Sequence, residues 1–184
     1  PYGLGGMKGG IDCSRLIIDV LEPYGLKVPR YSGHQAKMGT FTIDLTEIKS
    51  LKRRTALLDE SLKRGITLMY LPGHITTYLG RNHDGVPMLF HGLADYQQTC
   101  EGDEGETTMR VNHVTVTDVY RGEGSSKGSY LERATQLIVI GEGPGPALAG
   151  VATARVPAPL NIPTRRACRK TKNRARIFTS PHRP

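Results

Sequence analysis

The apolar residues in the first third of the chain recur three and four residues apart, which is the spacing typical of helices. A first helix is predicted to begin at Cys13, because Asp12 can cap its start and Pro23 can stop it. Two further helical segments are predicted at 33–38 and 45–62. The first ten residues contain five glycines and are predicted to form a loop ahead of the first helix.

From residue 66 onward the pattern changes to short runs of apolar and β-branched residues, which are typical of β-strands. Five strands are predicted, and they cover residues 66–71, 74–79, 88–93, 111–119 and 137–140. A short helix is predicted at 130–135, and the acidic stretch between Cys100 and Thr108 is predicted to be a surface loop. Helices followed by strands with short connections predict an α+β domain, in which an antiparallel β-sheet packs against N-terminal helices.

The composition fits one globular domain and places the basic charge in a tail. Of the 184 residues, 38% are hydrophobic and 23% are charged, which allows a modest core and excludes full disorder. The net charge is +8, but residues 151–184 hold nine Lys or Arg and no acidic residue. We therefore predict a domain over 1–140 and a Pro- and Gly-rich linker with a disordered basic tail over 141–184. Binding of nucleic acid by this tail is a less favoured alternative.

Several classes of protein are excluded by what the sequence lacks. No apolar run approaches the length of about 20 residues that a transmembrane helix needs, so no membrane span is predicted. Cys13, Cys100 and Cys168 are far apart and odd in number, which argues against a disulfide scaffold and against a zinc site. We predict no metal and no organic cofactor. No signal peptide is visible after Pro1, and such a start is expected for a piece of a longer protein.

Cys13 is the most informative residue, because it lies where the glycine-rich loop turns into a helix. The positive end of the helix dipole and the free amides of the first turn favour a thiolate there. A nucleophilic cysteine also needs a base, and His74 is predicted to open a strand directly after a tight turn. His91, in a neighbouring predicted strand, is positioned to hydrogen-bond the far nitrogen of that base and fix its tautomer.

Each of these three residues also has an ordinary structural interpretation. A lone cysteine on a short helix is more often a small core residue than a nucleophile. His74 can be a turn histidine, and His91 can be a strand histidine with satisfied hydrogen bonds. The catalytic interpretation therefore depends on the joint occurrence of the three residues.

The chain resembles the NlpC/P60 cysteine peptidases, which are papain-like enzymes that cut bacterial cell-wall peptides. The segments that carry the resemblance are YGLGG at 2–6, DCSR at 12–15, YGLKVPRYSGHQA at 24–36, LMYLPGHITTYLG at 68–80 and MLFHGL at 88–93. The segments at 111–124 and 129–140 look like the closing part of the subgroup that carries bacterial SH3-like domains ahead of the peptidase. Each segment alone is a weak signal, but their joint occurrence is specific.

The resemblance implies roles for six residues. Cys13 would be the nucleophile, His74 the general base and then acid, and His91 the residue that orients the base. Tyr2 would lie beside the scissile carbonyl and help to stabilise the oxyanion. Asp12 and Ser14 would bind the free amino terminus of a peptidoglycan stem peptide, whose bond between γ-D-glutamate and the diamino acid would be cut.

The chain also departs from the family pattern. Leu4 stands where the family usually has Trp, and we expect the SH3-like part that often closes the pocket in relatives to be missing. A catalytically inactive stem-peptide binding module of the same fold is therefore the alternative interpretation, and a different acyl transfer by the same residues also stays open. By resemblance, the protein is expected in the cell envelope, periplasmic or secreted.

Overall fold

The computed structural model describes residues 1–99 and 105–142, which form an antiparallel sheet with helices on its two faces. The helices are α1 (Cys13–Leu21), α2 (Ser32–Gln35), α3 (Leu51–Leu62) and α4 (Tyr130–Arg133), and short 3-10 turns cover Leu4–Gly9 and Glu22–Tyr24. The strands are β1 (Phe41–Asp44), β2 (Gly65–Leu71), β3 (His74–Arg81), β4 (Pro87–Thr99), β5 (Glu106–Asp118) and β6 (Gln136–Gly141). The predicted α+β class is confirmed.

The six strands are ordered β1-β6-β2-β3-β4-β5, and every neighbouring pair is antiparallel. The last strand, β6, lies between β1 and β2, so the sheet needs residues up to 141. The predicted boundary near residue 140 is compatible with this arrangement. The tail predicted after it lies outside the described residues from position 143 onward and stays a prediction.

Two groups of buried side chains fill the space on either side of the sheet. On one face, α1 contributes Ile17 and Leu21, which pack with Leu68 of β2. On the opposite face, α3 contributes Leu57 and Leu58 to a second cluster. Because neighbouring residues of a strand point to opposite faces, β2, β3 and β6 supply side chains to both clusters.

The structure differs from the predicted elements at several places. Strand β1 was not predicted, because it has only four residues and pairs with β6, almost a hundred residues away. Helix α3 begins at Leu51 rather than at 45, since Ser50 caps it and Leu45 is fully buried before it starts. Residues 106–108 belong to β5 instead of a surface loop, because they pair with the end of β4.

A buried arginine ties α3 to the segment around α4. Arg54 of α3 is 6% exposed, and its guanidinium donates five hydrogen bonds to backbone carbonyls. These carbonyls belong to Leu45, Ile48, Leu131, Glu132 and Ala134. One side chain therefore connects the segment ahead of α3 with the backbone of α4 and of the residue that follows it.

None of the helices in the described ranges is long and apolar enough to cross a membrane.

Candidate active site

Cys13 is the first residue of α1, and it is free and buried against the sheet. The side chain of Asp12 caps the helix by accepting a hydrogen bond from the amide of Arg15 at 2.8 Å. Cys13 packs in one buried cluster with Ile75 of β3, whose backbone amide favours the thiolate and so acts to lower the pKa of Cys13. Because Ile75 directly follows His74, the thiol lies at the end of β3 that carries the predicted base.

The close approach of α1 to the sheet depends on Gly92 of β4. A Cβ at this position would lie 3.1 Å from the carbonyl carbon of Asp12 and 3.3 Å from the amide nitrogen of Cys13. Both contacts are with backbone atoms, which cannot rotate away. The absence of a side chain at position 92 therefore lets the nucleophile candidate approach β4, next to His91.

Gly92→Ala is expected to displace the start of α1 by a few tenths of an ångström and to lower kcat about tenfold, because the thiol would move relative to its base. Overpacking should also reduce the free energy of unfolding by about 1–2 kcal/mol. Gly33→Ala is the matched control, since its Cβ would meet only the Tyr70 hydroxyl oxygen, at 3.9 Å. Steady-state kinetics and urea unfolding would measure both effects. Unchanged kinetics of Gly92→Ala would contradict the role given to Gly92.

His74 and His91 are directly hydrogen-bonded. Nε2 of His74 lies 2.8 Å from Nδ1 of His91, and Nε2 of His91 lies 3.0 Å from Oγ1 of Thr117 in β5. When each ring carries its proton on Nε2, His91 donates to Thr117 and His74 donates to His91. This arrangement leaves Nδ1 of His74 unprotonated and free to accept a proton.

Burial sets the resting charge of these groups. It raises the pKa of the Cys13 thiol despite the amides of Ile75 and Ser14, which favour the thiolate. Burial, with the charge of Arg133, lowers the pKa of His74 to about 4, and burial next to His74 lowers that of His91 to about 3. Burial therefore acts against the thiolate that the helix dipole favours, and it also acts against protonation of the two imidazoles.

Cys13 and His74 form no hydrogen bond with each other within the described ranges. Such contacts often tighten only when substrate binds. The structure thus brings Cys13, His74 and His91 to one place, and their catalytic roles stay predictions.

Asp12 and Ser14 are held by Arg30, which lies in the segment 24–36 that carries the resemblance but was not predicted as a site residue. Arg30 donates to both carboxylate oxygens of Asp12, at 3.2 and 2.7 Å, and to the Ser14 hydroxyl at 2.7 Å. Burial alone would raise the pKa of Asp12, but the hydrogen bonds from Arg30 and from the amides of Arg15 and Gly5 lower it to about 2. The predicted contact of Asp12 and Ser14 with a substrate ammonium would have to compete with Arg30, and it stays a prediction.

Tyr2 is held by an irregularity in the β4–β5 hairpin. Asn112 of β5 has a positive φ of 58° where the register of the two strands shifts, and its carbonyl accepts a hydrogen bond of 2.8 Å from the Tyr2 amide. Burial, and next the negative charge that Cys13 would carry, raise the pKa of Tyr2 to about 12. Its hydroxyl therefore remains a proton donor near Cys13 at neutral pH.

A cleft of about 170 Å³ opens beside His74. Its charged lining residues are Asp95, Lys127 and Arg133, and the buried ring of Tyr130 lines it as well. The Tyr130 ring lies 5.1 Å from that of His91 and 5.8 Å from that of His74, measured between centroids. Neither Tyr130 nor Arg133 was predicted as a site residue, because a four-residue helix after a strand carries no motif for a cleft.

The described part of the chain contains no group of three or more His, Cys, Asp or Glu side chains that could hold a metal ion. Cys100 and Cys168 lie outside this part.

The comparisons with known proteins agree with the papain-like α+β architecture. Residues 1–92, half of the chain, match the model of the NlpC/P60 family. The chain belongs to the NlpC/P60 family, and this membership supports a peptidase role.

A solved structure of an NlpC/P60 endopeptidase from Photobacterium damselae subsp. piscicida has a similar fold, with a TM-score of 0.64 and 23% sequence identity. The similarity covers 78% of this chain but only 36% of that protein, so the chain spans about a third of its length. No curated protein matches the sequence.

Proposed function

We propose that this protein is a cysteine peptidase that hydrolyses peptidoglycan stem peptides. The observation that carries the proposal is the hydrogen bond of 2.8 Å between Nε2 of His74 and Nδ1 of His91, at the end of β3 where the next residue, Ile75, packs with Cys13. Because Nε2 of His74 is bound to His91, Nδ1 of His74 is the ring nitrogen that is left to accept a proton. A base fixed in this tautomer next to a buried thiol supports acyl transfer through cysteine.

In the first step, the Cys13 thiol gives its proton to Nδ1 of His74, and the sulfur attacks the carbonyl carbon of the scissile bond. The carbonyl oxygen becomes an oxyanion. We propose the Cys13 amide and the Tyr2 hydroxyl as the hydrogen-bond donors that stabilise it. The protonated His74 then donates its proton to the leaving amine, the C–N bond breaks and an acyl-thioester remains. Burial, which lowers the pKa of His74, favours transfer of this proton from His74 to the amine.

In the second step, His74 removes a proton from water, and the resulting hydroxide attacks the thioester carbonyl. The C–S bond breaks, the sulfur recovers the proton from His74, and the peptide acid is released. His91 keeps the His74 ring in place throughout, and its own ring is held by Thr117.

The substrate part of the proposal rests on the family. We propose the bond between γ-D-glutamate and the diamino acid as the cleaved bond, and the cell envelope, periplasmic or extracellular, as the place of action. Asp12 and Ser14 are proposed to contribute to recognition of the free amino end through the network that they form with Arg30.

The test is hydrolysis of a free L-Ala-γ-D-Glu-diamino acid peptide, with the products identified by mass spectrometry. We expect release of the diamino acid, and much slower release from the same peptide with an acetylated amino terminus. Isothermal titration calorimetry separates the alternative of an inactive binding module, because heat of binding without any product would support that module and overturn the proposed hydrolysis.

A further inference from the structure

The cleft beside His74 contains a positive charge without a partner. Arg133, at the end of α4, lies with its guanidinium carbon 5.8 Å from the centre of the Tyr130 ring. No carboxylate of the described ranges forms an ion pair with it. Lys127, which is exposed, adds a second positive charge to the lining, and Asp95 adds one negative charge.

Tyr130 adds a hydrogen-bond donor that has no acceptor. Its side chain is 3% exposed, and its hydroxyl has no hydrogen-bond partner in the described part of the chain. Burial raises the pKa of Tyr130 well above its usual range, so the hydroxyl stays protonated. A buried hydroxyl without a partner is unfavourable, and a ligand oxygen that enters the cleft would provide one.

The helix that carries both residues is held firmly. Ser129 and Glu132 form a reciprocal capping box at its start, and Arg54 binds the carbonyls of Leu131 and Ala134. A site built on a fixed backbone loses little entropy when it binds its ligand.

We infer that this cleft is a carboxylate-binding subsite, in which Arg133 and the Tyr130 hydroxyl hold a carboxylate of the residue that leaves after cleavage. The inference rests on the proposed peptidase function. The cleft is lined by His74 and not by Cys13, and His74 is the group that protonates the leaving amine, so the leaving residue belongs on this side. Guanidinium and carboxylate form strong charge-assisted hydrogen bonds.

A carboxylate bound at this place would also help the chemistry. The positive charge of Arg133 acts against protonation of His74. A bound carboxylate offsets that charge and thus favours the protonated His74 that forms when the thiol attacks. The subsite would therefore select a free carboxylate both in binding and in the rate of acylation.

A larger cavity of about 360 Å³ beside the glycine-rich loop is a weaker candidate for anion binding. Its two arginines, Arg15 and Arg30, are already paired with Asp19 and Asp12. The unpaired guanidinium of Arg133 distinguishes the cleft beside His74 from this cavity.

The test compares two peptides that differ only in the leaving residue, which carries either a free carboxylate or a carboxamide. We expect the wild type to prefer the acid by about tenfold in kcat/KM, the value of one charge-assisted contact that is partly exposed to water. Arg133→Gln should lose this preference, Arg133→Lys should keep part of it, and Tyr130→Phe should weaken it. Lys63→Gln is the matched control, because it removes a positive charge at the end of α3, away from the cleft.

Equal turnover of acid and amide by the wild type would overturn the subsite and leave the peptidase function intact. If neither peptide is cleaved, the peptidase function fails, and titration of both peptides into the wild type still decides the subsite. Tighter binding of the acid that disappears in Arg133→Gln would support it, and equal binding would contradict it.

Discussion

Cys13→Ser is expected to lower kcat/KM for the free stem peptide by at least about a thousandfold. A serine hydroxyl holds its proton far more strongly than a thiol and is therefore a much weaker nucleophile at neutral pH. The fold should persist, because serine is similar in size to cysteine. Hydrolysis assays and circular dichroism would measure the two expectations separately.

His34→Ala provides a control for this substitution, since the ring of His34 is exposed and lies outside the cleft. It should leave both activity and stability close to the wild type. Iodoacetamide gives an independent measurement, because alkylation of Cys13 should remove activity in proportion to the labelled fraction. Turnover by Cys13→Ser at the wild-type rate would refute the thiol mechanism.

The elements with local signals were predictable from the sequence. Strands β2 and β3 are joined by Pro72 and Gly73, and Gly73 has a positive φ of 82°, which few other residues adopt easily. Helix α1 begins at the predicted residue, since the cap at Asp12 is a local feature. Strand β1 was missed because the strand that it pairs with, β6, is distant in sequence, and pairing at that distance leaves no local pattern.

The positions of the candidate site residues were predictable, but their environment was not. The motifs place Cys13, His74 and His91 in the chain, and the structure brings them together. The charge of the thiol depends on how deeply the helix start is buried, which is a property of the whole fold. Arg30 and Arg133 were missed for a similar reason: a single arginine in a polar segment is usually solvated, and only the folded chain shows what it faces.

The burial of Arg54 is not predicted by the charge pattern of its helix. Its helix reads as an apolar stripe among lysines and arginines, which predicts solvated basic residues. The structure instead buries this guanidinium among five backbone carbonyls that accept its hydrogen bonds. No sequence rule distinguishes Arg54 from the exposed Lys52 two positions earlier.

Arg54→Ala is expected to lower the free energy of unfolding by about 4 kcal/mol, because it leaves buried carbonyls without donors and opens a cavity. This is a large part of the roughly 5–15 kcal/mol that stabilises a domain. Arg54→Lys should cost less, about 2 kcal/mol, since an ammonium can reach some of the carbonyls but not all five. Lys52→Ala on the same helix is the control and should change the stability by less than about 0.5 kcal/mol.

Substitution of Arg54 should also affect the cleft beside His74. Three of the five carbonyls that Arg54 binds belong to residues 131, 132 and 134, next to Tyr130 and Arg133. Arg54→Lys should remain folded at low temperature, but α4 should lose part of its hydrogen bonding to α3. The preference for a leaving residue with a free carboxylate should therefore fall. The alkylation of Cys13 should stay unchanged. Urea unfolding measures the stability, and the ratio of acid to amide turnover measures the cleft. A variant that is destabilised but keeps the full preference would show that α4 is held by its own capping box and packing, and that Arg54 serves the core alone.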